Sequence, residues 1–334
     1  SKKYPLKDPF ISLENQSVNT YLNAYTLTDH TVYPASSIIK ADYFNLMSVY
    51  ADAVFFPLLK PEIFMQEAVR LEVDENKQPS IQGVVYNEMK GNYSSFESVA
   101  SSFADKTVLA GTHYVYDHGG DPLVIPELTL AKVKAFHKKH YCPANCKIFL
   151  YGNIPTEEQL DFLSENLLCH FTQAGKVVSW PKETKVAISP RCDGLGPLTG
   201  DGGKSSTLVY WKIECQKNKR PLELTEILFL TNLLWGDDSA PVAKKLLDSG
   251  LGQDLAPQAG CRLSSIYPLT GVGLRGCEKK NAEKIRKVIF ETLTDICNNG
   301  ISDDDLAATK AAEDEIANRK KKKQKLIRRD RKST

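Results

Sequence analysis

Apolar and polar positions divide the chain into stretches of two periods. Residues 17 to 35 alternate loosely and are rich in Thr, Tyr, Val and Asn. That pattern predicts two strands joined at Thr28-Asp29-His30. From Lys40 to Phe56 the spacing changes, with Tyr43, Leu46, Met47, Tyr50, Val54 and Phe55 three and four residues apart, an amphipathic helix stopped by Pro57. Pro61 to Val69 reads as a short helix opened by proline, and the polar run Glu72 to Pro79 as a hairpin or loop turning near Asn76. From Ser80 helical spacing returns, placing Ile81, Val84, Val85 and Met89 on one stripe with Glu88 as its only charge. Thr129 to Tyr141 is a helix with Thr129 as N-cap, Lys147 to Gly152 a short buried strand, and Thr156 to Leu168 a helix turning Leu160, Leu163 and Leu167 inward.

Residues 171 to 206 break the pattern with Pro181, Pro190, Pro197 and a series of glycines, and read as a connection between domains. Beyond it Ser206 to Glu214 is strand-like, and Glu223 to Trp235 and Ala240 to Leu247 are helical. Gln258 to Ser264 and Gly271 to Gly276 read as strands, followed by a long helix over Asn281 to Asn298 that aligns Ile285, Val288, Ile289 and Leu293. The expectation is an α+β protein of two tandem sheet-plus-helices domains. The boundaries are 1–171, a linker over 172–205, 206–318, and a basic tail over 319–334.

At 334 residues, 42% hydrophobic and 25% charged, the composition is that of an ordinary globular protein of two domains. No apolar run reaches the roughly 18 residues that a membrane span requires. The start, Ser1-Lys2-Lys3-Tyr4-Pro5, has neither an initiator Met nor the apolar core of a secretory signal, and reads as a cut end. Eight scattered cysteines are read as reduced thiols of an intracellular protein. Cys142 and Cys146, with Cys169 and His170, form the one group resembling a zinc ligand set. A strand through Cys146 would point it away from the others, so they are read as thiols at a strand entry. Residues 319 to 332 carry ten Lys or Arg and one Asp, leaving the remainder acidic. No aromatic residue interleaves to stack on bases, so the tail is read as a solvated end and no nucleic-acid partner is expected.

A carboxylate on an apolar stripe costs several kcal/mol to bury without a partner, so Glu88 is either a metal ligand or a helix residue paired with a lysine or set at an exposed turn. Its company bears on the choice. Gly83 to Gly91, with Asn23-Ala24-Tyr25-Thr26, Asp52-Ala53-Val54-Phe55-Phe56-Pro57 and Gly119-Gly120-Asp121-Pro122, resembles the presequence-protease branch of the pitrilysin and insulinase family of zinc peptidases. The resemblance spans roughly residues 1 to 310 and implies domains of the metallopeptidase/processing-peptidase type, both incomplete here. In that family an inverted His-x-x-Glu-His motif supplies two ligands and the general base, and a Glu on a second helix supplies the third ligand. The resemblance places Glu88 as that third ligand. None of the six histidines lies in such a motif, which in relatives precedes the residues matching Ser1 to Pro5. Two zinc ligands and every catalytic residue are therefore expected outside this chain.

The same resemblance makes Leu22-Asn23-Ala24-Tyr25 an edge strand that pairs an unfolded peptide through its backbone, with Asn23 and Ala24 as substrate-binding residues. It implies partners in the peptide substrate and in the remaining domains of a longer enzyme. The expected function is part of a zinc metalloendopeptidase that degrades unfolded oligopeptides such as targeting presequences, inactive as this chain alone. The alternative is a non-catalytic, peptide-binding or structural homologue. The mitochondrial matrix and the cytoplasm both remain open as locations. After Ala312 the chain departs from the family pattern, because Lys320 to Lys325 breaks the apolar period, and a shifted terminal reading frame is one explanation.

Overall fold

The structure, a computed structural model, describes residues 1, 3–5, 9–180, 182–186, 191–197, 204–215, 220–263, 265–307, 309–311 and 314. The basic tail at 319–334 lies outside the described residues. By packing, the chain forms two compact units, Ser1–Ser94 with Gly111–Val186, and Ser95–Ala110 with the described part of Ala187–Thr334.

The first unit begins with helix α1 (Pro9–Gln16) and four short strands, β1 (Asn19–Leu22), β2 (Tyr25–Thr26), β3 (Thr31–Val32) and β4 (Ala35–Ser37). β1 pairs β4 and β2 pairs β3, both antiparallel, and the turn falls where the alternation places it, with Leu27 N–H donating to the His30 carbonyl at 2.8 Å. Helix α2 (Lys40–Phe55) lies against this hairpin. Leu46, Val49 and Tyr50 of α2 are buried with Leu13 of α1, and Leu22, Tyr33 and Ala35 of the hairpin pack on them. The α2 residues follow the three- and four-residue spacing that puts side chains on one helix face.

Helix α3 (Pro61–Glu67) starts at its proline, and the polar stretch after it is the hairpin of β5 (Arg70–Val73) and β6 (Pro79–Gln82). The expected helix from Ser80 starts later. α4 runs Val84–Asn92, and Ser80 and Ile81 belong to β6. Ile81 sits at helical spacing from Val84 and Val85, but Gly83 with φ +157° separates the two elements. A Cβ on Gly83 would lie 2.2 Å from the Ala68 carbonyl oxygen.

Helix α5 (Phe96–Val108) belongs to the second unit, and the chain returns to the first for α6 (Leu130–His140) and α7 (Thr156–Asn166). Thr129 caps α6 as expected, its Oγ1 accepting from Lys132 N–H at 3.2 Å. Tyr33 and Tyr141 share a 2.8 Å hydrogen bond that ties the hairpin to the end of α6, and Tyr43 donates to Gln159 Oε1 at 2.6 Å, tying α2 to α7.

Two expectations fail here. Lys147 to Gly152 forms no strand. No described strand pairs with it, and without a ladder its apolar side chains stand in solvent, Phe149 at 88% and Tyr151 at 84% exposure. Leu160 is likewise 54% exposed, while Leu163 and Leu167 are buried.

The second unit is built on an antiparallel sheet in the order β7 (Ser205–Lys212), β10 (Leu269–Cys277), β8 (Asp254–Leu255), with β9 (Gly260–Arg262) also pairing β10. β10 is the longest of these strands and largely buried, as a strand covered on both faces must be. Helices α8 (Arg220–Trp235), α9 (Pro241–Asp248) and α10 (Ala282–Asn299) complete the unit. Val242, Ala243 and Leu246 of α9 and Ile285 and Ile289 of α10 are fully buried with Val272 and Leu274 of β10.

α5 is held in this unit by polar contacts. Arg262 grips Asp105 through both terminal nitrogens, at 2.7 and 3.0 Å, and lies over the Tyr210 ring. Gln258 Nε2 donates to the Glu97 carbonyl at 2.8 Å, and Tyr210 donates to the Gln258 carbonyl at 3.2 Å. Removing one partner of a half-buried ion pair strands the other. Arg262→Ala should therefore lower the unfolding free energy by about 1–3 kcal/mol in urea denaturation. Arg275→Ala, which removes the more exposed pair with Asp254, should cost at most about 1 kcal/mol.

Burial pushes the Tyr210 phenol up to about 12, Arg262 pulling it down and Asp105 raising it. A raised pKa in the folded state means that this contribution to stability is complete below the ordinary phenol value of about 10 and is lost as pH climbs through about 12. Urea midpoints measured across that window should fall more steeply for wild type than for Tyr210→Phe.

Candidate functional site

The hairpin keeps one register over its whole inner length. Tyr21 faces Ser36, Leu22 faces Ala35, Tyr25 faces Val32 and Thr26 faces Thr31. Asn23 N–H donates to the Pro34 carbonyl at 3.1 Å, and Leu27 N–H to His30. Successive residues of an extended chain turn their N–H and C=O to opposite edges. Asn23, Tyr25 and Leu27 therefore face the returning strand, and Leu22, Ala24 and Thr26 face the outer edge. Among the described residues no strand pairs there.

Asn23 and Ala24 sit exposed in the gap between β1 and β2. The Asn23 carbonyl accepts from the Tyr50 hydroxyl at 3.3 Å. Its Nδ2 donates to the hydroxyls of Tyr25 at 2.9 Å and Tyr21 at 3.2 Å, which are bonded to each other. Asn23 Oδ1 accepts from Ala24 N–H at 2.8 Å. Burial is the main cause of a raised Tyr50 phenol pKa. The role of Tyr50 beneath this strand has no sequence signal beyond its place on the buried face of α2.

Glu88 lies on α4, and its neighbour Met89 is buried. Met89 Sδ occupies the space a Cβ on Gly119 would need, 2.4 Å from it. This contact joins α4 to the turn Gly119-Gly120-Asp121-Pro122. Asp117 secures the turn, accepting from Tyr93 Oη at 2.7 Å and from Gly119 N–H at 3.1 Å. Consecutive helix positions are about 100° apart, and with Met89 inward Glu88 is exposed, as are Val84 and Val85. The expected apolar stripe is thus split in this chain, Met89 buried and Val84, Val85 and Glu88 exposed, and Glu88 carries no burial penalty.

The other residues singled out by sequence have local partners. Asp52 is buried and accepts from Lys3 N–H at 2.8 Å. His137 Nε2 lies 2.8 Å from the Val54 carbonyl, and His30 Nδ1 2.5 Å from Asp29 Oδ1. Cys142 Sγ lies 3.6 Å from the Lys176 carbonyl. Among the described residues no three His, Cys, Asp or Glu converge on a point that would hold a metal ion. The residues present do not by themselves fit a zinc site, which requires at least three protein ligands.

The family model for the peptidase M16 inactive domain matches residues 127–313. This chain belongs to the peptidase M16 family. Among curated relatives, the mitochondrial presequence protease of Xenopus laevis is 34% identical over 317 residues, covering 92% of this chain and 31% of the relative. Presequence protease 1, chloroplastic/mitochondrial, of Arabidopsis thaliana is 35% identical over 319 residues, 92% of this chain and 29% of the relative. The chain spans about a third of the length of these M16 relatives.

Solved structures support the α+β fold. The peptidase M16 inactive domain from Pseudomonas fluorescens superposes with a TM-score of 0.60 at 14% identity, over 87% of this chain and 65% of that one. The first half of the periplasmic protease PqqL from Escherichia coli gives 0.58 at 16%, over 94% and 64%.

Gly83→Ala tests how α4 is placed. The new Cβ meets the Ala68 backbone, which has no rotamer to yield, at a φ that disfavours side chains. Thermal and urea unfolding should show a loss of about 1–3 kcal/mol.

Proposed function

We propose that this chain is the peptide-gripping part of a presequence-protease-type metalloendopeptidase, and that the outer edge of the β1–β2 strand pairs with unfolded oligopeptides through the backbone. The observation that carries this reading is the unpaired edge at Leu22, Ala24 and Thr26, in a chain whose relatives are presequence proteases across 92% of its length. Main-chain pairing suits substrates of varied sequence, because the hydrogen bonds are the same for every residue but proline. Ala24 presents its backbone on this edge, and Asn23 reaches it through its side chain, whose Oδ1 accepts from Ala24 N–H. On this reading the first peptidase-type domain covers 1–171 and part of a second covers 206–318.

Glu88 is proposed as one carboxylate ligand of a zinc site, the other ligands coming from polypeptide outside this sequence. The isolated chain is then a binding module without catalytic residues. The mitochondrial names of several relatives favour the mitochondrion over the cytoplasm. A second reading, a non-catalytic homologue that binds peptide as a subunit, is supported by the match of residues 127–313 to a domain described as inactive.

Fluorescence anisotropy with a labelled unfolded oligopeptide tests the binding claim. An analogue N-methylated at consecutive residues loses the donors on both of its edges, so no shift of register restores them, and it should bind roughly tenfold or more weakly. Equal binding of the two peptides would overturn backbone pairing. The same purified chain should leave the peptide intact and retain less than one equivalent of zinc after gel filtration. Stoichiometric zinc accompanied by cleavage would refute the assignment of a binding module.

A further inference from the structure

The strand gap at Asn23 and Ala24 holds more hydrogen bonds than the hairpin requires. Register and Tyr50 already engage the Asn23 backbone, its N–H on Pro34 and its carbonyl on the Tyr50 hydroxyl. Neither group is free to receive a peptide. The side chain is engaged as well, Nδ2 on the Tyr25 and Tyr21 hydroxyls and Oδ1 on Ala24 N–H. Ala24 is exposed, so water alone would satisfy its N–H. Among the described residues no hydrogen bond reaches its carbonyl. One outward N–H is thus held by a side-chain oxygen, and the carbonyl beside it is open.

We propose that the Asn23 carboxamide is a placeholder on the peptide-binding edge: its Oδ1 holds Ala24 N–H until a peptide carbonyl takes over, and Tyr21, Tyr25 and Tyr50 are positioning residues that keep Asn23 in that posture. The inference rests on the reading that the outer edge binds unfolded peptide. Its chemistry is a bond exchange. A peptide carbonyl accepts from Ala24 N–H, and the Ala24 carbonyl accepts a peptide N–H. Asn23 Oδ1, released but still tethered through Nδ2 to the tyrosine hydroxyls, is left as an acceptor for a further donor. The group displaced from Ala24 stays solvated or finds a peptide donor, so no buried polar atom is orphaned.

Tyr50 has the more demanding task. Slipping a strand by one residue exchanges its two edges. Such a slip at the gap would turn Ala24 inward and Asn23 outward. The Tyr50 hydroxyl, fixed on the buried face of α2, opposes this by holding the Asn23 carbonyl inward. Its ring packs edge-on against Phe10 at 5.0 Å, so Tyr50→Phe removes the hydroxyl and keeps the packing.

The test uses the whole 334-residue chain and the same labelled unfolded oligopeptide. Tyr50→Phe and Tyr25→Phe should each weaken binding roughly two- to tenfold, the range for one neutral hydrogen bond. Tyr25 is exposed and its variant is safe for folding, which thermal unfolding checks. Amide hydrogen exchange by NMR supplies a readout that a purely structural role would not move. Peptide should slow exchange at Ala24, whose exposed N–H is held only by the neighbouring side chain, and leave the Asn23 amide, bonded across the hairpin to Pro34, unchanged, and Tyr50→Phe should reduce the protection at Ala24. If wild type binds peptide and both variants bind equally well, the placeholder and its positioning residues are overturned while the peptide-binding reading stands. If binding protects other amides and not Ala24, the inference also falls. If wild type binds no peptide, the reading falls and takes the inference with it.

Discussion

The constant register of one antiparallel hairpin governs the candidate site of the first unit. Once Asn23 bonds Pro34 and Leu27 bonds His30, the alternation of backbone groups decides that Leu22, Ala24 and Thr26 face outward. The register is itself fixed from below. Leu22, Tyr33 and Ala35 pack on Leu46, Val49 and Tyr50, and a one-residue shift would lift this set off the core. The edge and the core are therefore one device, and Tyr50 belongs to both, its ring in the core and its hydroxyl on the Asn23 carbonyl.

The second unit solves a different problem. Its central strand β10 is buried, and α9 and α10 meet it through fully buried Val, Ala, Leu and Ile side chains, so apolar contact supplies the stability. Helix α5 enters this unit from a distant part of the sequence, and polar contacts fix its position: a two-pronged Arg262–Asp105 pair and the Gln258 bond to the Glu97 carbonyl. Directional bonds specify where an element sits more narrowly than apolar contact does. That suits a helix whose chain neighbours, α4 and α6, belong to the other unit.

What the sequence made legible follows the range of the forces involved. The hairpin over 17 to 35, the helix over Lys40–Phe55, the Thr129 cap and the long α10 all rest on local periodicity and capping, and the structure has them. Lys147 to Gly152 has the composition of a strand, but a strand exists through its partner, and no described strand supplies one. The start of α4 was obscured because Ile81 falls at helical spacing from Val84 and Val85, although Pro79 and Gly83 both punctuate the stretch. At the candidate site, Asn23, Ala24 and Glu88 stand out in the sequence through family resemblance. The three tyrosines around Asn23 were invisible as a group, since the contact of Tyr50 with Asn23 joins residues 27 positions apart.

Glu88 shows how the same residue changes meaning with its surroundings. On an apolar stripe a carboxylate is costly, and a bound metal would offset that cost. In this structure Met89 takes the buried position under Gly119, and Glu88 stands in water beside exposed Val84 and Val85. Hydrated there, it needs no partner. The demand returns only if another surface covers the two valines, because that surface would remove water from the carboxylate as well. Any polypeptide that docks on α4 must then bring a cation or several hydrogen-bond donors to Glu88, or forfeit more than the valines contribute. The exposed face of α4 therefore selects for a cationic or donor-rich neighbour on physical grounds that do not depend on the resemblance.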